Sequence, residues 1–173
     1  MSKPINLKKL VLTSAIITGA AFAFIQFVPV YARTNPPVAQ EKTLAANVSL
    51  PPQMQTIMNK ACMDCHSNET KWPWYAKIAP MSWLVARDVE HARHAINFSE
   101  WSDQAGKRKG TAIGALMAAC EGVKDQKMPL PQYQMMHPEA RLSQDEIKSF
   151  CTWTVAAVRQ IKSGKGVAEH AGR

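Results

Sequence analysis

Residues 10–31 read LVLTSAIITGAAFAFIQFVPVY, an apolar run in which Gln26 is the strongly polar side chain. A helix crossing a bilayer needs about 20 such residues, so the run predicts an uncleaved anchor. A cleavable leader is the competing reading, with Val30-Tyr31-Ala32 as its cut site. Downstream, no stretch alternates apolar and polar residues, and few or no strands are expected. Helical spacing recurs instead. Met54, Ile57, Met58 and Ala61 stand three and four apart, which predicts a one-sided helix over Pro52–Ala61 that runs straight into Cys62. Leu84, Val85, Val89 and Ala92 mark a second helix over 82–96. Ile113, Leu116, Met117 and Cys120 mark a third over 111–122, with Gly122 as its stop. Ser143 and Glu146 have the spacing of a capping box. They open a fourth helix with the stripe Ile147, Phe150, Cys151, Thr154 and Val158.

These elements divide the chain into four parts. Residues 1–32 form the signal or anchor helix. The proline pairs Pro36-Pro37 and Pro51-Pro52 bracket 33–50, which reads as an extended tether because proline disfavours helix. Residues 51–162 form an all-α domain of about four short helices with long connections, among them the loop KMPLPQYQMMHPEARL. Residues 163–173 read as a flexible tail. A domain this small is short of buried apolar surface, and a large flat cofactor at its centre would supply it.

Charge adds direction. The formal net charge is +8. Lys3, Lys8 and Lys9 precede the apolar run, as expected of an N-terminus held in the cytoplasm. Either reading of the leader then sends residues 33–173 out of the cytoplasm. Lys107, Arg108 and Lys109 form a basic cluster, read as a solvated loop or as a docking spot for an acidic redox partner. No basic stripe is interleaved with base-reading residues, so no nucleic-acid partner is expected.

The candidate chemistry sits in Cys62-Met63-Asp64-Cys65-His66. A structural zinc site needs four ligands, usually from two such pairs, and Cys120 and Cys151 each stand alone. A thioredoxin-like pair belongs beside a strand–helix unit, and none is visible. A plain disulfide between Cys62 and Cys65 leaves His66 unexplained. The pattern fits covalent attachment of one haem c: each thiol adds to a vinyl group, and His66 faces the iron. For the sixth position Met128 is the first candidate, in a loop stiffened by Pro129, and His137 is the alternative; a Met/His pair raises the reduction potential. Met135 and Met136 lie in the same loop. His91 and His94 share a helix face and read as solvated. Trp72, Trp74, Tyr75 and Trp83 are candidates to cover a haem face, against ordinary core packing. The Ala79-Pro80 segment is a candidate source of the carbonyl that orients an axial histidine. Cys120 and Cys151 read as buried thiols or as a disulfide.

The joint pattern CMDCHSNETKWPWYAKIAPMSWLV, INFSEW, KMPLPQY and HPEARLSQDEI, over about residues 48–158, resembles a family of bacterial haem-binding domains related to c-type cytochromes. RTNPP after an apolar segment resembles the same family and favours a retained anchor. The resemblance implies a small cytochrome c-like helical domain around a covalent haem. It implies that Cys62 and Cys65 carry the haem, that His66 is the proximal ligand, that Met128 takes the distal place and that Pro80 supplies the steadying carbonyl. The function expected is electron transfer to an unidentified protein partner rather than catalysis. The alternative is a peroxide-reacting or gas-sensing site with a displaceable sixth ligand, where His137 or Tyr133 would serve.

Overall fold

Among the described residues of the computed structural model (6–28, 31–103 and 109–164) every regular element is helical and no strand occurs. Lys3, Val30, the cluster at 107–108 and the tail from 165 onward lie outside the described residues. The helices are α1 (Leu7–Ile25), α2 (Leu44–Asn47), α3 (Pro52–Ala61), α4 (Met63–His66), α5 (Met81–Ala95), α6 (Lys109–Lys124), α7 (Pro131–Met136) and α8 (Gln144–Ser163). They fall into two compact units: residues 1–33 with 72–88, and residues 34–71 with 89–173. Helix α5 begins in the first and ends in the second.

The first unit is built around α1. Its 19 residues have a mean hydropathy of 1.5, and none is buried. Asn6 caps its start by accepting from the Lys9 amide. Just past its end, Gln26 makes two hydrogen bonds with one backbone unit. Its Oε1 accepts from Ala79 N (2.9 Å), and its Nε2 donates to Ala79 O (3.3 Å). Trp83 Nε1 donates to Val28 O (2.9 Å), and the Arg33 guanidinium donates to Ala76 O. The Ala79–Pro80 peptide is cis.

The second unit holds the core. Met54, Ile57 and Met58 of α3 are buried, as their spacing predicts, and Pro52 at the first turn costs no hydrogen bond. Helix α6 packs against α8, and the disulfide Cys120–Cys151 joins them. The reading that left these thiols open is thereby settled in favour of the bond. Helix α8 carries the expected capping box, with Glu146 N donating to Ser143 Oγ and Ser143 N to Glu146 Oε2. It ends at Gly164 in the left-handed region (φ 70°). Its buried face holds Ile147, Phe150, Thr154 and Val158 of the expected stripe together with Trp153 and Ala157, while Cys151 is half-buried, and Trp153 Nε1 donates to Ser49 O (2.8 Å).

Three differences from the pattern-based expectation have physical causes. Residues 33–50 are not extended throughout. They contain a 3-10 turn (Gln40–Lys42) and α2, and they place Leu44 and Val48 in the core. Full burial of such a side chain is worth about 1.5–3 kcal/mol, which overrides the stiffness of the flanking prolines. Gly122 does not end α6. The helix runs to Lys124, and Gln126 takes the left-handed conformation (φ 57°) while Lys127 N and Met128 N both donate to Gly122 O. Met117, expected on the buried face, is 40% exposed, whereas Ala112 and Val123 are buried.

Candidate functional site

The motif is a helical turn hinged on Cys62. Helix α3 ends there, with Cys62 N donating to Met58 O. Cys62 O then accepts from Cys65 N (3.2 Å) and His66 N (2.9 Å), which starts α4. Both cysteines are thiols rather than a disulfide. Burial first, then the charge of Cys65, pushes the Cys62 thiol up to about 12. A thiol shifted in that direction is favoured in its protonated form. No group of three or more His, Cys, Asp or Glu side chains that could hold a metal ion occurs among the described residues.

His66 is held more tightly than its neighbours. Its Nδ1 lies 3.1 Å from Ala92 O and 3.1 Å from Ile96 O. Two carbonyls can only accept, so Nδ1 carries the proton, and in the neutral ring Nε2 keeps its lone pair. Burial lowers the pKa of His66 below its ordinary 6.5, with the two carbonyls opposing it. At neutral pH the ring is therefore a neutral imidazole with its free nitrogen available to a metal. The Phe98 ring, tilted, lies 6.0 Å from it. The carbonyls come from the end of α5 and the residue just after it, and Ala92 O also accepts from Ile96 N. Pro80 O accepts from Trp83 N and Leu84 N. The Ala79 carbonyl is bonded to Gln26, and the carbonyls on His66 are those of Ala92 and Ile96.

INFSEW therefore has a positioning role. Besides Ile96 O and Phe98, it supplies a buried polar network. Asn97 Nδ2 donates to Asn68 Oδ1 (2.8 Å), Asn68 N to Ser99 Oγ (3.0 Å) and Ser99 N to Asn97 Oδ1 (3.0 Å). Arg93 fastens the same strip from another side. Its guanidinium donates to Ser67 O, Thr70 Oγ1, Thr34 O and Asn35 Oδ1. Thr34 and Asn35 of RTNPP are thus bound through Arg93 to the residues that follow His66.

The loop with the distal candidates is tied to the motif by Tyr133. Tyr133 OH donates to Asp64 Oδ2 (2.7 Å), a bond spanning 69 residues. Burial, and then the bond to Asp64, raises the Tyr133 pKa well above its ordinary 10, so the phenol stays a donor. The His137 ring stacks on Tyr133 at 4.3 Å, and His137 Nδ1 lies 3.2 Å from Glu139 Oε1. Tyr133 and His137 are therefore brought to the motif through Asp64. Met128 stands in the same loop, 40% exposed, with its Cγ 3.5 Å from where a Cβ on Gly122 would lie.

Trp72, Trp74, Tyr75, Pro80 and Trp83 belong to the first unit, and the partners named here are there. Trp74 packs edge-on against Tyr75, and Trp83 bonds the chain beyond α1. Sequence reasoning missed Asp64, Arg93, Asn68, Asn97 and Ser99. The signal available for Asp64, Asn68, Asn97 and Ser99 was their place inside the blocks that carry the family resemblance; Arg93 lies just before one of them.

The donor set fits a haem: two thiols on one turn, and a half-buried neutral imidazole whose remaining nitrogen is a lone-pair donor. Residues 20–156 match a family model described as a haem-binding domain. No curated protein and no solved structure matches the chain.

Proposed function

The chain belongs to the haem-binding domain family, and on that premise we propose that it is a membrane-tethered, monohaem c-type cytochrome that transfers electrons outside the cytoplasm. The observation that carries this reading is the His66 ring, fixed by two backbone carbonyls with its other nitrogen left as an acceptor. That arrangement makes a stronger and better-aimed axial ligand.

In this reading Cys62 and Cys65 hold the haem through thioethers and His66 is the proximal ligand. Met128 is the distal ligand, with His137 as the substitute. The bound haem supplies a one-electron couple. The protein's share is to keep the imidazole neutral and oriented, through Ala92, Ile96 and Phe98, and to hold the distal loop through Tyr133 and Asp64. A site closed by two protein ligands changes little in geometry on reduction, which suits a carrier. The Cys120–Cys151 disulfide supports an oxidising compartment. Retention of α1 is supported by Gln26 and Val28, whose bonds to Ala79 and Trp83 would be lost if the chain were cut after Ala32.

The visible spectrum of the ferric protein tests the reading. A weak band at the red end, abolished by Met128→Ala, is expected for sulfur ligation. A high-spin spectrum of the unsubstituted protein would overturn it in favour of an open, peroxide-reacting or gas-sensing site. Loss of low-spin character in His137→Ala, with Met128→Ala unchanged, would move the distal role to His137.

A further inference from the structure

The aromatic segment after the motif leads to a second surface. Residues 74–81 expose Trp74 (70%), Ile78 (42%) and Met81 (40%), with Lys77 and Pro80 also exposed among them. So many large apolar side chains on a short stretch mark an interaction surface. The segment is pinned to the end of α1 by the two Gln26–Ala79 bonds, by Trp83 on Val28 and by Arg33 on Ala76. Helix α1 has 19 residues, about 28 Å at 1.5 Å per residue. That is close to the roughly 30 Å of a hydrocarbon core. Gln26, the first residue beyond it, then lies at the bilayer's outer edge and holds Ala79 at the same depth. The exposed apolar surface runs through Phe24 (70%) in the last turn of α1 and continues past the helix at Phe27 (83%).

We propose that residues 74–81 rest in the headgroup region of the membrane that α1 crosses, with Trp74, Ile78 and Met81 in contact with lipid. Trp is favoured at that depth because its ring is apolar and its N–H is polar. Lys77 can lay its stem along the apolar layer and keep its ammonium among anionic headgroups. The partner is the phospholipid surface, chosen over a protein because the segment continues a surface that already faces lipid. The segment thereby fixes the tilt of the first unit at the bilayer. The proposal rests on the reading of α1 as a retained anchor.

The test uses the full chain in vesicles of phosphatidylethanolamine and phosphatidylglycerol holding no other protein. An environment-sensitive fluorophore is attached at Ile78→Cys, at Ile16→Cys in the middle of α1, or at Lys148→Cys on the exposed face of α8. The unsubstituted chain is the labelling blank. The expected result is loss of iodide quenching at both 78 and 16, with iodide quenching retained at 148. Nitroxide lipids labelled near the headgroup should quench position 78 more than those labelled at the chain end, with the order reversed at position 16. Lipid quenching at 16 with full iodide access at 78 overturns the proposal and leaves the anchor standing; a surface kept for a protein partner gives this outcome. Iodide access at 16 overturns both.

Discussion

At the scale of single residues, the site depends on groups that name themselves and groups that do not. Cys62, Cys65 and His66 are adjacent in the chain, and their types state their chemistry. The carbonyls of Ala92 and Ile96 carry no side-chain identity, so nothing in a sequence distinguishes them from any other carbonyl. The Tyr133–Asp64 bond was hidden for another reason. Asp64 occupies a variable place in the motif, and its partner is 69 residues away. Removing that bond with Tyr133→Phe is expected to cost about 1 kcal/mol, the usual net worth of one hydrogen bond. The denaturant midpoint of the haem-loaded protein measures it. Asn97→Ala should cost more, about 1–3 kcal/mol, because Asn68 Oδ1 and the Ser99 amide lose a partner inside a buried network.

At the scale of elements, the helices legible in the pattern are those long enough to repeat it. Helices α3, α5, α6 and α8 span ten residues or more, and each shows apolar positions three and four apart. Helices α2 and α7, of four and six residues, are too short to carry a period and were hidden in segments read as tether and loop. Helix ends yield predictions. Gln126 is a non-glycine residue at φ 57° just beyond α6, so Gln126→Gly should raise stability by about 1 kcal/mol. A rise in thermal midpoint checks it. At the start of α8, the bond from Lys60 and then the Ser143 amide hold the Glu146 carboxyl below its ordinary 4.5. Its folded pKa is lowered, so its contribution is complete above 4.5 and is lost as pH falls through the lower folded value. Because the pair is part-exposed, that contribution is within about 1 kcal/mol. Glu146→Gln should therefore lower stability at neutral pH and flatten its decline below 4.5, as followed by denaturant midpoints across that range.

At the scale of the whole molecule, the all-helical class and the leading apolar helix were readable from spacing alone. The tether's part in the core was not, because Leu44 and Val48 acquire meaning only against α3, α6 and α8, which are distant in sequence. Arg93 is similar: one guanidinium gathers Thr34, Asn35, Ser67 and Thr70, and none of these residues has a local pattern pointing to it. The second unit thus surrounds the motif with elements that each hold one part of it. Helix α3 sets Cys62, α5 and INFSEW set His66, and the loop around α7 is fastened through Asp64. Such a scaffold has a clear chemical purpose if a porphyrin is bonded to it.

That bond is the central claim, and the mass of the unfolded chain tests it most directly. Protein made in cells competent for cytochrome maturation should, after complete denaturation, weigh one haem more than its polypeptide, and Cys62→Ser with Cys65→Ser should abolish the increment. A denatured chain at bare polypeptide mass, with its haem released into solvent, would contradict the account.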